Sequence, residues 1–346
     1  MGVTSISTRL ARVFFKATLT LCCGVSGLFA QSYSAPKGFY RLDLTVGYQT
    51  VGVSIVNQSL LNATIASSSG ATITLGENFD VSAILEADLA YYVEIINGPS
   101  GTGDPQVGQR FEVDTTATVT PGQIGIDLGA AHNTDSVLPQ LADHTLTLRP
   151  HVALNQIFDK AKLHASTSFD NADQVQVFSG GGFSIYYLYG SSGLSQWVPF
   201  GSFENSDNMS LLPGQGLLFK RSALSSGAIS LNVLGVARTN PFVQPLVAGM
   251  NFLAEGYPVS LSFEQRHAYG AGFEHGDRTK VFNGSGFETY LLYSQGDVLD
   301  DNLWTLLGDP LLESQNTSKI FDYSGAVFFE LVGADPNYRI ESPIAD

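Results

Sequence analysis

Cysteine is almost missing from this 346-residue chain, and its two copies, Cys22 and Cys23, both fall in the first thirty residues. From residue 31 onward there is no disulfide, no iron–sulfur ligand and no cysteine nucleophile, so burial and hydrogen bonding must hold the fold. Positive charge is scarce too: 17 Lys and Arg stand against 32 Asp and Glu, a net charge of −15. Such a surface repels phosphate backbones, which excludes nucleic acid as a partner. Helical periodicity is equally rare. "FDVSAILEADLA" sets Val81, Ile84, Leu85 and Leu89 on one face behind Asp80, and "VALNQIFDKAKL" does the same with Leu154, Ile157, Phe158 and Ala161. Each predicts a helix of about three turns.

The first thirty residues have the pattern of an export signal. Arg9, Arg12 and Lys16 precede the apolar run "ATLTLCCGVSGLFA", and small Ala30 offers a cleavage site before Gln31. Leu21 stands where a lipidated cysteine usually has a small residue, which argues against lipidation at Cys22. Cleavage near Ala30 predicts an exported protein (extracellular, cell-surface or periplasmic). It also removes three basic residues and no acidic one, leaving a still more acidic chain.

The remainder reads as short strands separated by Gly, Asn, Asp, Ser and Pro, among them "YRLDLTV", "ATITL", "AYYVEII", "QRFEVDT", "TLTLR", "QVQVF", "ISLNVLGVA" and "AVFFELV". Strands without long intervening helices predict an all-β protein with few short helices. With 22 Phe and 14 Tyr there is ample apolar material, and the length exceeds what one core serves.

One pattern occurs twice. "DQVQVFSGGGFSIYYLY" (173–189) and "DRTKVFNGSGFETYLLY" (277–293) share Asp173/Asp277, Val177/Val281, Phe178/Phe282, Gly180/Gly284, Gly182/Gly286, Phe183/Phe287, Tyr186/Tyr290, Leu188/Leu292 and Tyr189/Tyr293. Trp197 and Trp304 follow, and "LPGQGLLFKR" is echoed by "FDYSGAVFFEL", with Gly216 set against Gly325 and Phe219 against Phe328. A period of domain size predicts a tandem duplication of a glycine-turned hairpin module. Along its second strand Phe183, Ile185, Tyr187 and Tyr189 point one way and Tyr186 and Leu188 the other, which predicts cover on both faces. The expected division is a leader over 1–30, an N-terminal β-barrel or sandwich-like domain over 31–145, and two related antiparallel β-sandwich-like modules over 146–240 and 241–346. A fainter echo sets Gly47 of "GFYRLDLTVGYQTVGVSIV" against Gly249, which would start the first module there and make the N-terminal β domain an insertion.

Read in order, "AYYVEIINGPSGTGDPQVGQRFEV", "TLTLRPHVALNQIF", the Tyr-rich hairpin with its Trp and "PGQGLLFKR" resemble an uncharacterised family of exported, repeat-containing bacterial β proteins. The resemblance implies secretion and a β fold, and brings no activity, cofactor or catalytic residue.

The residues themselves point to a structural, adhesive or ligand-binding role without catalysis or cofactor. Tyr186, Tyr189 and Trp197, with Tyr290, Tyr293 and Trp304, are the candidate ligand-binding residues, as paired aromatic platforms for a polysaccharide or cell-surface polymer. Their competing reading is core packing. A secreted hydrolase is a second alternative, although His132, His144, His151, His164, His267 and His275 show no metal or nucleophile spacing. Acidic loops at 169–173, 204–208 and 297–302 suggest at most weak calcium binding and otherwise turn chemistry; no metal site is marked out. An outer-membrane barrel is the fourth reading, weakened by the domain-sized repeat and the lack of strict alternation.

Overall fold

A computed structural model describes residues 37–343 except 119, 131–132, 180, 192, 269–271, 294–302 and 336. The leader segment, Gly180 and the acidic loop 297–302 lie outside the described residues. The fold is all-β, built from antiparallel sheets. Both helical expectations shrink. The first is a single 3-10 turn, Val81–Ile84, because Asp80 offers no cap and its carboxylate instead accepts from Ser82 Oγ at 2.6 Å. The second is one α turn, Leu154–Ile157, followed by a separate 3-10 turn, Lys160–Lys162, that Asp159 caps through Ala161 N.

Two five-stranded sheets share one strand order. The first runs Leu194–Pro199, Phe183–Ser191, Gln174–Phe178, Gly216–Arg221, Gly47–Gly52. The second runs Leu303–Leu306, Phe287–Tyr293, Arg278–Phe282, Ala326–Leu331, Gly249–Ala254. Each has two short accessory pairs. Lys37–Leu44 with Ile229–Val236 and Val152–Ala153 with Ser210–Leu211 serve the first; Phe242–Val243 with Arg339–Ile340 and Leu261–Ser262 with Ile320–Phe321 serve the second. Residues 37–56, which the expected boundary at 31–145 places in the N-terminal domain and the Gly47/Gly249 echo places in the first module, pair with strands beyond residue 215. Between them and Val152 lies a six-stranded sheet ordered Arg110–Glu112, Tyr91–Asn97, Thr145–Pro150, Leu61–Ser69, Thr72–Leu75, Gln123–Gly125. Three apolar clusters form accordingly, around Trp197 and Phe219, around Trp304 and Phe329, and around Phe111 and Ile95. Burying each such aromatic contributes roughly 2–3 kcal/mol.

The hairpins have the expected form. Phe178 pairs with Phe183 and Phe282 with Phe287 across four-residue loops, closed by Ser179 N to Gly182 O and Asn283 N to Gly286 O, each 3.0 Å. Gly284 adopts φ +93°, a left-handed value that glycine takes without a Cβ clash. Further along, Leu188 points into the first core while Tyr187 packs with Val198 on the opposite face. One expected match shifts by a residue. Val177 pairs with Leu217 and Val281 with Val327, so the counterpart of Gly216 is Ala326, and that of Phe219 is Phe329. A one-residue slip changes the face of every side chain. Phe329 therefore lies in the second core, while Phe328 joins Phe252 on the outer face.

The shared aspartates act as buried ties. Asp173 accepts from His164 N (2.9 Å), Ser222 N (2.7 Å) and Ser225 Oγ (3.0 Å). Asp277 accepts from Glu274 N and Val332 N, both at 2.7 Å. Each joins the loop before its hairpin to the segment leaving the neighbouring strand, Gly216–Arg221 or Ala326–Leu331. We expect Asp173→Ala and Asp277→Ala each to destabilise the protein by about 2–4 kcal/mol, because buried backbone donors lose charged acceptors. Urea unfolding of each variant measures this.

The second core also contains an ion pair, Arg266 Nη1 to Glu255 Oε1 at 3.1 Å, with the guanidinium over Phe329 and Phe321. Burial pushes the Glu255 pKa up to about 7; Arg266 opposes the rise and Asp322 adds to it. A raised carboxyl pKa means that the folded state keeps a proton the unfolded chain releases near 4.5. Stability should therefore fall as pH rises from about 4.5 to about 7, by up to about 3 kcal/mol from this group. Unfolding of Glu255→Gln across that range should show a flatter profile than the unaltered protein.

Candidate functional site

The six candidate platform residues occupy matching positions in the two modules and are not brought together. Trp197 and Trp304 are wholly buried. The Trp304 face is taken by Phe263, stacked at 4.5 Å, and both tryptophan backbone N–H groups donate to side chains, of Asp207 (2.9 Å) and Asn316 (2.8 Å). Tyr290 is 5% exposed and covered by Lys319, while Tyr186 packs against the first core. Tyr189 and Tyr293 are half-buried, and each meets its neighbour edge-on, Phe203 and His275 respectively, at 71°. Coplanar exposed rings, the geometry that suits a sugar face, are not found among these six. We expect Trp304→Ala to cost about 3–5 kcal/mol in chemical denaturation, so any binding lost with it would reflect unfolding.

The two acidic loops among the described residues, 169–173 and 204–208, are occupied by structural bonds. Asp207 forms an ion pair with Lys160, and Asp173 is the tie described above. Among the described residues no three His, Cys, Asp or Glu side chains gather as a metal-binding group. Two histidines meet carboxylates in the six-stranded domain: His144 Nε2 lies 3.2 Å from Asp104, and His151 Nε2 lies 2.8 Å from Glu112. His151 borders an amide-lined groove of about 450 Å³ with Asn57, Gln58, Asn155, Gln156 and Asn208. Its ring packs on Tyr92 at 4.7 Å and its side chain is only 2% exposed, so little of it faces the groove.

A cleft of about 480 Å³ opens where all three sheets converge. The first module contributes Val177, Phe178 and Ser179 at its hairpin tip, with Leu212, Pro213 and Gln215; the second contributes residues 244, 245, 247 and 250–253. Size and lining, mostly apolar with a few polar groups, are those of a small-molecule site. The six-stranded domain contributes Arg110, the one ionisable residue among the lining residues.

Arg110 is 7% exposed and reaches across to both modules, donating from Nη1 to Pro213 O and from Nη2 to Val243 O, each at 3.2 Å. Its guanidinium lies 4.6 Å from the Phe242 ring centre, and that of Arg238 lies 4.2 Å from the same ring. Glu94 pairs with Arg238 at 2.8 Å and lies 4.0 Å from Arg149. Burial pushes the Arg110 pKa down to about 10, Arg238 adds to the fall and Glu94 opposes it, so the group remains cationic at neutral pH.

Sequence reasoning passed over this cleft. Arg110 was visible only as one residue of the strand "QRFEVDT", and the lining comes from segments more than a hundred residues apart. The usable signal was an arginine inside a strand next to Phe111, a position that demands a partner or a site. Comparison with protein-family models, curated proteins and solved structures finds no match to this chain.

Proposed function

We propose that this is an exported, non-catalytic β protein that binds a small, largely apolar ligand in the cleft between its three sheets. The observation that carries the reading is the cleft: about 480 Å³, walled by Phe178, Met250, Phe252 and Leu253, with no carboxylate or histidine among the described residues of its lining. Acid–base catalysis needs such groups within reach of the reacting atoms. The duplication belongs to this proposal as well, with two like modules supplying opposite walls. Export rests on the basic and apolar leader pattern and on the absence of cysteine after residue 30. Membership of the exported bacterial family rests on the motifs quoted above. What favours this over an outer-membrane barrel is that each described sheet has at most six strands and buries apolar side chains in a protein core.

The amide-lined groove beside His151 supports carbohydrate binding as a second reading, since amide side chains suit sugar hydroxyls. One variant separates the two. Val247 lines the cleft and is exposed, so Val247→Trp should fill it with little effect on folding. We expect Nile red, an uncharged environment-sensitive dye, to bind the protein lacking residues 1–30 and to bind Val247→Trp about tenfold more weakly, as read by fluorescence titration. Equal dye binding by both proteins, or glycan binding that survives the substitution, would move the site to the groove.

A further inference from the structure

We infer that the cleft selects an amphipathic monocarboxylate, with Arg110 as the partner of its carboxylate and the apolar walls around its hydrocarbon body. The inference rests on the cleft being a binding site, as proposed above, and identifies the chemical class of its ligand.

Elsewhere among the described residues, arginines that are buried or nearly so sit beside carboxylates. Arg238 has Glu94 at 2.8 Å, Arg266 has Glu255 at 3.1 Å, Arg221 has Asp173 at 3.9 Å, and Arg149 has Glu94 at 4.0 Å. Arg110 alone of these five has no carboxylate within ion-pair distance among the described residues. Glu94, a nearby acid, is shared by Arg238, Arg149 and Asn240, and Glu112 is held by His151. A buried cation without its counter-charge costs several kcal/mol, and a chain with 32 acidic residues has no shortage of anions to place there.

A guanidinium has five N–H donors, and Arg110 uses two of them, both on neutral carbonyls at 3.2 Å. Its Nε is buried and without an acceptor, as are nitrogens of Arg149, Arg221, Arg238 and Arg266, so the missing counter-charge and not the donor count sets Arg110 apart. Because Arg110 lines the cleft, a carboxylate arriving there supplies the missing charge. Phe178, Met250, Phe252, Leu253 and Pro245 then surround the rest of the ligand. Among the described residues the lining holds a single cation and is otherwise neutral and mostly apolar, so one ionised carboxylate matches the charge available there.

The test compares decanoate with its neutral isostere decanamide by isothermal titration calorimetry on the protein lacking residues 1–30. We expect decanoate to bind about tenfold more tightly or better, Arg110→Gln to lower decanoate to the level of decanamide, and decanamide affinity to change by less than about twofold. A preference that persists in Arg110→Gln, or an unaltered protein that binds the two ligands alike or binds neither, overturns the inference. If Arg110→Gln fails to melt cooperatively, Arg110→Lys takes its place. It keeps the charge but not the planar fork, so the preference should shrink without vanishing, and an unchanged or abolished preference counts against the inference. Nile red separates the two levels of failure. Dye binding that Val247→Trp blocks, without any preference for decanoate, removes only the carboxylate, whereas absence of dye binding removes the binding site itself.

Discussion

Everything near the cleft depends on how closely the two five-stranded sheets approach. They meet at Gly52 and Gly216 of the first and at Ala254 and Ala326 of the second, and by strand register Gly52 corresponds to Ala254 and Gly216 to Ala326. A Cβ on Gly52 would stand 2.4 Å from Gly325 O, and one on Gly216 would stand 2.8 Å from the Ala326 Cβ. Only a missing side chain permits that contact. The backbone bonds across it are reciprocal: Gly52 N donates to Ser324 O and Ala254 N to Gly214 O, each at 2.8 Å. Equivalent positions thus hold one another, as in a two-fold dimer interface, here within one chain. Phe252 and Phe328 stack at 4.0 Å beside this contact, and the rings at the two hairpin tips, Phe183 and Phe287, lean on Phe328. The cleft is the space left where residues 212–215 and 244–253 flank this contact.

The residues that 173–189 and 277–293 have in common now have physical reasons. The aspartate ties a loop to the end of a neighbouring strand, the Val-Phe pair and the glycines turn the hairpin, the leucine enters the core, and the tryptophan fills it. The tryptophan rings in such places are held by packing on all sides. What distinguishes the modules lies outside the shared positions. Between Gly52 and Val152 the first carries a six-stranded domain, whose Arg110 bonds to a carbonyl from each module, while Arg339 of the second donates back to the carbonyls of Thr102, Asp104 and Val107. Those bonds fasten the six-stranded sheet over one side of the paired sheets and give the cleft its third wall.

Charge is distributed by the same logic. A strongly acidic chain without disulfides has buried several of its few arginines next to carboxylates and aromatic rings, where each supports a junction between segments distant in sequence. Desolvation makes such pairs costly to break and gives them little net stabilisation over apolar packing. Their contribution is to fix which surfaces meet. Arg110 departs from this pattern in having carbonyls where its counterparts have acids, and it does so at a junction that stays open.

Local chemistry made much of the fold legible. Strand alternation, turn residues and the scarcity of helical spacing identify an all-β chain, and the Val-Phe and Gly-Phe steps locate both hairpins to the residue, because these signals act between neighbours. The match of Gly47 with Gly249, at φ +101° and +91°, was also within reach. Register between remote strands was not: "LPGQGLLFKR" and "FDYSGAVFFEL" share two residues, Gly and Phe, in the wrong register and only Phe219 with Phe329 in the right one. Only pairing to the neighbouring strand decides that Phe329, and not Phe328, enters the core. The return of residues 37–56 to strands beyond 215, the contact of glycine with alanine and the gathering of Arg110 with two carbonyl segments are likewise tertiary facts. They depend on which surfaces bury each other, and no local stretch of sequence contains both sides of that choice.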